Sequence, residues 1–344
     1  MRLAAFHITQ QGKSHIDNGT VCQDAGLAQV LHVNGTELAV LIAADGVGSC
    51  LYSDEGSKTA VDTLMEVLRN GIGQNTDKTD IRLLLKTGFT EALKRINELA
   101  KETRRPAEEF STTLTCAVYD GSTVWYGHIG DSGIVAIFND GSYRMITVRC
   151  KGQEWNMVMP LYFTDYWQFG TVENVAALCV QTDGVLDKYV DDELTDERIF
   201  FPFIEDLLTP LNSEEKLAAC KKGYDDFLRS DETRKELTDD ITFAAAQNTE
   251  TIAAAAANVV FDNEKYNEIT EAVLNYRGCR LNRHSSEHDK WLTMAMLYRL
   301  LGKEDQLPPE PENKVSTAPE KTFPQLLLKQ DKCGSFSPLT MRKL

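Results

Sequence analysis

The amino-acid sequence predicts an α+β fold in which antiparallel strands dominate. Up to about Gln247, short apolar runs of strand length alternate with segments of helical periodicity. Glycine, asparagine and aspartate mark the turns, and the dipeptides Asp120-Gly121 and Asp140-Gly141 are typical of tight hairpins. Because hairpins join neighbouring antiparallel strands, these observations favour antiparallel sheets accompanied by helices.

Strands are predicted wherever an apolar run has strand length and is bounded by turn residues. The predicted strands are 37–44, 112–119, 123–129, 134–138, 175–182 and 241–246. Two amphipathic helices lie between them. The first is predicted to begin at Ser53 as its N-cap, to run to about Asn70 and to be ended by Gly71. The second runs from about residue 79 to 104 and ends before Pro106.

The composition of the chain changes after Gln247. A run of alanines (253–257) is followed by two helical patterns, 263–276 and 286–301, and then by a proline-rich tract that favours an extended linker. The predicted division is a domain over residues 1–249, a helical extension over 250–303, and a proline-rich linker and tail over 304–344. The extension is expected to pack on the first domain or to recruit a partner.

The chain is acidic, with 36 Lys plus Arg against 52 Asp plus Glu and a net charge of −16. This charge repels nucleic-acid phosphates and anionic lipid headgroups, so we expect neither nucleic acid nor a membrane as a partner. The same excess of carboxylates suits a divalent-cation site, although nearly all of these side chains must be solvated surface.

The predicted compartment is the cytoplasm. The eight cysteines show no CxxC pair and are expected to be reduced thiols. The first residues lack the apolar run of a signal peptide, and no segment approaches the roughly 18 apolar residues that span a membrane.

Aspartates stand at the ends of predicted strands. Asp45 and Asp183 directly follow apolar strands, and Asp239 stands just before one. A carboxylate in this position is held rigidly by the sheet, and several such ends at one rim would present the oxygen ligands that Mg²⁺ and Mn²⁺ prefer. Each Asp-Gly pair alone is better explained as a turn, by about two to one. The combination nevertheless predicts a metal site.

A series of motifs runs in order along the first 247 residues. The motifs are Cys22-Gln23-Asp24-Ala25, Ala43-Ala44-Asp45-Gly46-Val47-Gly48, Ser111-Thr112-Thr113-Leu114, Gly127-His128-Ile129-Gly130-Asp131-Ser132, Gln181-Thr182-Asp183-Gly184-Val185-Leu186-Asp187 and Asp239-Asp240-Ile241-Thr242. In this order the series resembles the PP2C (PPM) family of metal-dependent serine/threonine phosphatases. The similarity covers about residues 1–247 and leaves the C-terminal part unexplained.

The resemblance implies a fold and a reaction. The fold is an α-β-β-α sandwich of two mainly antiparallel sheets flanked by helices, here followed by the C-terminal helical extension. The reaction is hydrolysis of phosphoserine or phosphothreonine in a phosphorylated protein substrate by a metal-bridging hydroxide, so no side-chain nucleophile is needed. The implied cofactors are two Mn²⁺ or Mg²⁺ ions, with a third, weaker metal position.

Carried over residue by residue, the resemblance also implies the metal ligands. Asp45 matches the carboxylate that bridges the two ions, and the carbonyl of Gly46 would bind one of them. Asp183 and Asp239 match ligands of the other ion. Asp24 would hold metal-bound water, and Asp131, in the Gly-Asp-Ser motif, matches the family aspartate of the third metal position.

Three positions depart from the family. Gly19 stands where many relatives carry an arginine that binds the substrate phosphate, and Gly133 replaces the arginine that usually follows the Gly-Asp-Ser motif. Val47 stands where eukaryotic relatives have a histidine, as apolar residues do in many bacterial relatives. The substrate-binding residues are therefore unknown from the sequence.

The segment between Arg149 and Thr171 also departs from the family. The usual Asp-His pair is absent, and residues 154–156 and an aromatic group stand in its place. The aromatic group consists of Tyr162, Phe163, Tyr166, Trp167 and Phe169. A lid over the active site and a locally packed cluster explain this group about equally well.

Three functions remain open at this point. An active protein phosphatase is favoured by the complete set of aspartates. A pseudophosphatase that acts as a signalling or partner-binding module is favoured by the two missing arginines. A two-metal hydrolase of another phosphate compound, such as a nucleotide, has little support because no glycine-rich phosphate loop is present.

Overall fold

The computed structural model of the protein describes residues 2–33, 35–74, 80–150, 158–191 and 198–311. Within these residues the chain forms two compact units, one extending to Val260 and the other beginning at Phe261. The predicted division at residue 249 stays a prediction. The segment 154–156 and the tail beyond residue 311 lie outside the described residues.

Strands and helices are interspersed along the described residues. The strands are β1 (Leu3–Gln10), β2 (Ala25–Val33), β3 (Thr36–Ala44), β4 (Leu114–Tyr119), β5 (Val124–Ile129), β6 (Gly133–Phe138), β7 (Tyr143–Met145), β8 (Gln168–Val172), β9 (Val175–Gln181), β10 (Val190–Asp191), β11 (Arg198–Ile199) and β12 (Ile241–Asn248). The helices are α1 (Lys13–Asn18), α2 (Ser53–Gln74), α3 (Ile81–Thr103), α4 (Asp183–Tyr189), α5 (Glu214–Arg229), α6 (Asp231–Arg234), α7 (Ile252–Ala256), α8 (Asn263–Leu281) and α9 (Glu287–Leu300).

Two five-stranded antiparallel sheets form most of the first unit, and β10 and β11 pair as a separate two-stranded sheet. One sheet has the strand order β1-β12-β9-β6-β7 and the other has the order β2-β3-β4-β5-β8. Neighbouring strands in both sheets pair antiparallel. The predicted strands are present as β3, β4, β5, β6, β9 and β12. Both predicted hairpins are also present, as β4–β5 and β6–β7.

β3 lies between two hydrophobic cores. Leu41 packs with the cluster between the sheets, which includes Leu178, whereas Ile42 packs with the cluster under α2 and α3, which includes Leu64. Because successive strand residues point to opposite faces, a strand with both faces covered needs an apolar side chain at every position. This requirement explains the unbroken apolar run over residues 39–44, all of which are buried.

α5 covers the outer face of the sheet that contains β1 and β12. Its Tyr224 stacks on Phe243 with ring centroids 4.9 Å apart and lies 5.9 Å from the ring of Phe6. α2 and α3 cover the outer face of the other sheet. The layers therefore confirm the predicted α-β-β-α sandwich.

The structure confirms that α2 begins at Ser53 and corrects its predicted end. Ser53 is the first helical residue rather than the cap before it, and its hydroxyl accepts a 2.7 Å hydrogen bond from Nε2 of Gln23. The helix also continues through Gly71. A Cβ on Gly71 would lie 2.4 Å from Cδ2 of Leu84, so the glycine permits close packing of α2 against α3 instead of ending the helix.

The second unit contains α8 and α9, the two helices predicted for the extension. α8 continues past the predicted end at residue 276. α9 begins with a capping box in which the Ser286 hydroxyl and the Asp289 carboxylate each accept a backbone N–H of the other residue. No helix within the described residues is long and apolar enough to cross a membrane.

Candidate metal centre

Three of the predicted ligands meet at one rim of the two sheets. Carboxylate oxygens of Asp45, Asp131 and Asp183 lie within 4.8 Å of one another. Asp45 follows β3, Asp131 lies in the turn between β5 and β6, and Asp183 opens α4, separated by one residue from the end of β9. The cluster therefore draws on strands of both sheets, and a single divalent cation could contact all three carboxylates.

The backbone of Asp45 is fixed by the start of the neighbouring strand. Its N–H donates to Oγ1 of Thr113 over 2.9 Å, and its carbonyl accepts the N–H of Thr113 over 2.8 Å. The same carbonyl accepts the hydroxyl of Thr112 over 3.0 Å. The main chain of Asp45 is thus satisfied by its neighbours, which leaves the carboxylate for the cluster.

Gly46 is held beside Asp45 with its carbonyl available. Its N–H donates to the carbonyl of Gln23 over 3.1 Å. A Cβ at this position would lie 2.7 Å from that same carbonyl oxygen, so the close approach requires glycine. Among the described residues no donor bonds to the Gly46 carbonyl oxygen. This geometry is compatible with the predicted role of that oxygen as a metal ligand.

Asp24 lies near the cluster, since its charge contributes to the raised pKa of Asp45, and one of its oxygens is buried without a partner among the described residues. Oδ2 accepts a 2.7 Å hydrogen bond from the hydroxyl of Thr182, which in turn accepts the N–H of Thr242. Oδ1 is buried and has no hydrogen-bond partner among the described residues. An unpaired buried carboxylate oxygen is costly, and metal-bound water is a partner that would satisfy it. The residues present therefore fit a hydrated metal centre.

Burial and mutual repulsion raise the pKa of two carboxylates of the cluster. Burial, and then the charges of Asp131, Asp187 and Asp239, raise the pKa of Asp183 to about 7. Burial also raises the pKa of Asp45, with the charge of Asp183 as the next cause. Repulsion of this kind is relieved by a cation placed between the carboxylates.

Asp183 is positioned by the residue that follows it. A Cβ on Gly184 would lie 1.9 Å from the carbonyl oxygen of Asp240. Only glycine therefore allows the first turn of α4 to lie against the start of β12. This contact brings Asp183 near the Asp239-Asp240 pair.

Asp239 is placed differently from the other predicted ligands. Its carboxylate is not part of the 4.8 Å cluster, although its charge contributes to the raised pKa values of Asp45 and Asp183. The residue is exposed, and its Oδ1 accepts the N–H of Asp240 over 2.9 Å. Asp239 therefore lies beside the cluster, and its role as a ligand stays a prediction.

Asp240, to which the sequence assigns no role, is a buried structural carboxylate. Oδ1 accepts the N–H of Gly12 over 2.6 Å, and Oδ2 accepts the N–H of Gln23 over 2.5 Å. Nδ1 of His15 lies 2.8 Å from Oδ2. Asp240 thus ties the segment that carries Asp24 to the start of β12.

Gly19 does not have a conformation that suits the arginine found in many relatives. It ends α1 in the left-handed region, with φ of 70°. A side chain there would be strained, although a Cβ would meet no atom within 4 Å. The structure therefore explains glycine at this position by the helix end and offers no phosphate ligand there.

Arg149 and Asp187 form an ion pair at the rim that the sequence did not predict. The Arg149 side chain is only 6% exposed; Nε donates to the backbone carbonyl of Asp131 over 2.8 Å, and Nη2 donates to Oδ1 of Asp187. The two residues are 38 positions apart, and no motif signals their contact. A cation thus stands against the carboxylate cluster.

The aromatic group between β7 and β8 divides into two parts. Trp167 and Phe169 pack edge to face on Phe89 of α3, with ring centroids 5.5 and 5.2 Å away. Tyr162 and Phe163 are 4.7 Å apart between ring centroids but exposed, as is Tyr166. The packed-cluster interpretation holds for the first part, and the second part is surface.

The chain is similar to known phosphatases in both sequence and fold. A sequence model described as protein phosphatase 2C matches residues 11–229. The Mycobacterium tuberculosis serine/threonine phosphatase PstP/Ppp is 15% identical, with a TM-score of 0.51 over 72% of this chain and 99% of that one. Stp1 from Staphylococcus aureus, a serine/threonine phosphatase, is 18% identical, with a TM-score of 0.50 over 72% of this chain and 95% of that one.

A third solved structure contains metal. The catalytic domain of the serine/threonine protein phosphatase PstP, in complex with two manganese ions, is 17% identical, with a TM-score of 0.50 over 71% of this chain and 97% of that one. At these identities the solved structures show a shared fold. No curated protein matches the chain.

Proposed function

The chain belongs to the protein phosphatase 2C family of metal-dependent serine/threonine phosphatases, and on this premise we propose that it hydrolyses phosphoserine and phosphothreonine in proteins at a dinuclear metal centre. The observation that carries the proposal is the approach of Asp45, Asp131 and Asp183 at one rim. Hard oxygen ligands of this kind suit Mn²⁺ or Mg²⁺.

The proposed ligand set follows the sequence prediction. By the family resemblance, Asp45 would be the ligand shared by the two ions, the Gly46 carbonyl would bind one of them, and Asp183 and Asp239 would bind the other. Asp24 would hold water, and Asp131 would serve a third position. The free carbonyl of Gly46 and the positions of Asp45 and Asp183 support this set.

The proposed reaction requires residues that orient the attacking water and a site that accommodates the negative charge of the phosphoryl group. The metal ions, when bound, would supply an activated water and neutralise the phosphoryl oxygens. Oδ1 of Asp24, which has no partner among the described residues, can accept a hydrogen bond from a water molecule and so orient it. The nearby thiol of Cys22 is no rival nucleophile, since burial and the charges of Asp240 and Asp24 raise its pKa to about 12.

The alternative is a pseudophosphatase that binds partners without hydrolysis, and the glycine at position 19 favours it. The deciding experiment measures hydrolysis of a phosphothreonine peptide with and without Mn²⁺, for the wild type and for Asp45→Asn and Asp183→Asn. We expect Mn²⁺-dependent activity that either substitution reduces strongly. Equal, negligible rates in all three proteins would refute the enzyme proposal, and a parallel panel of nucleotides tests the third function.

The remaining proposals concern the chain outside the metal centre. We propose a phosphoprotein as the substrate, a cytoplasmic location, and a packing or partner-recruiting role for residues 250–303. The acidic net charge of −16 supports a protein rather than a nucleic-acid partner. Deletion of residues 250–344 with no change in stability, activity or partner binding would refute the role of the extension.

A further inference from the structure

Arg149 joins two elements of the rim that are distant in sequence. Its Nε bonds the backbone carbonyl of Asp131, in the turn between β5 and β6, and its Nη2 bonds Asp187, on α4. α4 also carries Asp183. One guanidinium therefore contacts both elements that supply the second and third carboxylates of the cluster.

The backbone that presents Arg149 is itself fixed. The N–H of Cys150 donates to the carbonyl of Gly130 over 2.6 Å, and the N–H of Val148 donates to Oε1 of Gln168 over 3.0 Å. Gln168 returns a hydrogen bond from Nε2 to the Val148 carbonyl over 2.5 Å. Because both neighbours are bonded and the side chain is 6% exposed, the guanidinium has little freedom to reach elsewhere.

Glycine at position 133 leaves the space beside α4 to other side chains. A Cβ on Gly133 would lie 2.7 Å from Cδ2 of Leu186, on α4, and 3.0 Å from Sδ of Met145, so both side chains would have to shift. The cation at this junction comes instead from Arg149, in a different part of the chain.

We propose that Arg149 is a positioning residue of the metal centre: it ties the turn carrying Asp131 to the helix carrying Asp183 and thereby sets the spacing of their carboxylates. The guanidinium suits this task because its planar fork bonds two acceptors at once, which a lysine ammonium matches poorly. The proposal rests on the proposed function, since the spacing matters for holding divalent cations. Arg149 acts through Asp131 and Asp183 rather than on the substrate.

The test measures Mn²⁺ binding by titration calorimetry without substrate, using the full chain. The variants are Arg149→Met, Arg149→Lys and Asp187→Asn, and the control is Arg144→Met, an exposed arginine whose guanidinium lies over the ring of Phe138. Loss of a partner that orients metal ligands typically weakens metal binding about 10- to 100-fold. We expect this loss for Arg149→Met, a smaller loss for Arg149→Lys and Asp187→Asn, and none for Arg144→Met.

Kinetics separate positioning from substrate contact. At saturating Mn²⁺ we expect KM for the phosphothreonine peptide and inhibition by inorganic phosphate to stay within about threefold of the wild type in all variants. Unchanged Mn²⁺ affinity together with weaker phosphate inhibition would show that Arg149 contacts the substrate and would overturn the proposal. If Arg149→Met fails to fold, unchanged Mn²⁺ affinity in Arg149→Lys and Asp187→Asn would also overturn the proposal.

A purely structural role is distinguished by thermal unfolding in EDTA. The proposal would be overturned if the variants lost Mn²⁺ affinity only in proportion to their lowered Tm in EDTA, and if Arg149→Lys bound Mn²⁺ no better than Arg149→Met. A wild type that binds Mn²⁺ without hydrolysing the peptide would refute the proposed function and leave this test intact. A wild type that binds no Mn²⁺ would overturn both.

Discussion

The hydroxyl of Thr182 donates a 2.7 Å hydrogen bond to Oδ2 of Asp24, across 158 positions of sequence. Both side chains are buried, and the same hydroxyl oxygen accepts the N–H of Thr242. The bond leaves Oδ1 of Asp24 buried and without a hydrogen-bond partner among the described residues. Thr182 therefore decides which oxygen of Asp24 is available.

Replacing Thr182 by valine should cost stability and metal affinity together. Valine keeps the shape but leaves a buried carboxylate oxygen and the Thr242 N–H without their partner, which costs about 1–3 kcal/mol. Urea unfolding in EDTA measures the first effect and Mn²⁺ titration the second. Thr171→Val, at an exposed position of β8, is the control and should change neither. Wild-type stability for Thr182→Val would contradict the role given to the hydroxyl.

Two glycine-to-alanine substitutions should act in opposite directions. Gly184→Ala places a Cβ 1.9 Å from the Asp240 carbonyl oxygen, so α4 must move away from β12, with loss of stability and of Mn²⁺ affinity. Gly223 lies within α5 with nothing within 4 Å of its added Cβ, so Gly223→Ala should stabilise the protein by about 0.5–1 kcal/mol. Thermal unfolding checks both, and equal shifts would contradict the packing of α4.

Asp45→Asn should have effects of opposite sign with and without metal. In EDTA the substitution removes a carboxyl group whose pKa is raised by burial and by the charge of Asp183. A carboxyl group with a raised pKa destabilises the folded chain at neutral pH, so the stability of the variant should be unchanged or higher. In Mn²⁺ the wild type gains about 2.7 kcal/mol at an ion concentration 100 times Kd, and the variant should lose most of this gain. Chemical unfolding in the two buffers measures the crossover. If Asp45→Asn were less stable than the wild type in EDTA, the Asp45 carboxylate would not be destabilising the metal-free protein, and the prediction would be wrong.

Asp240→Asn should loosen the segment around Gly12 and Gln23. The carboxylate accepts one backbone N–H on each oxygen, whereas an asparagine has only one acceptor oxygen and turns a donor toward the other N–H. We expect a loss of about 1–3 kcal/mol in urea unfolding and faster hydrogen exchange at these two amides. The control is Asp226→Asn on the exposed face of α5, which should stay within about 0.5 kcal/mol of the wild type. Protected amides in Asp240→Asn would count against this account.

His128 should make the fold sensitive to acid. Burial lowers its pKa to about 4, and its Nδ1 lies 2.8 Å from the hydroxyl of Thr115. Between pH 6.5 and about 4 the unfolded chain binds a proton that the folded chain does not, so stability falls as the pH falls through this window, by about 3 kcal/mol in total. His128→Asn should remove this part of the pH dependence, while His32→Asn, at an exposed position, should not. A titration of His128 near pH 6.5 by NMR would contradict the prediction.

The sequence reveals most clearly the elements whose neighbours bury them completely. β3 is readable because two cores impose an apolar residue at every position over residues 39–44. α5 escaped prediction because few of its residues are buried, Tyr224 and Leu228 being the buried ones. The predicted end of α2 was wrong because the close packing of Gly71 against Leu84 of α3 outweighs the usual preference of glycine for helix ends.

The same distinction applies to the candidate metal centre. Asp45 and Asp183 were predicted because a carboxylate after an apolar strand is a local pattern. The contact of Arg149 with Asp187 has no such pattern, since the fold alone brings the two together. The bridging and terminal roles of the aspartates stay predictions until metal is bound.

Because β3 lies between two cores, Asp45 and Asp239 are expected to differ in mobility. Displacing the end of β3 would open both cores, so amide exchange beside Asp45 should approach the rate set by global unfolding. The Asp239 side chain is exposed just ahead of β12, and exposed side chains change rotamer readily. At the proposed centre Asp45 thus stands on backbone that both cores hold, and binding of Mn²⁺ should restrict mainly the side chain of Asp239.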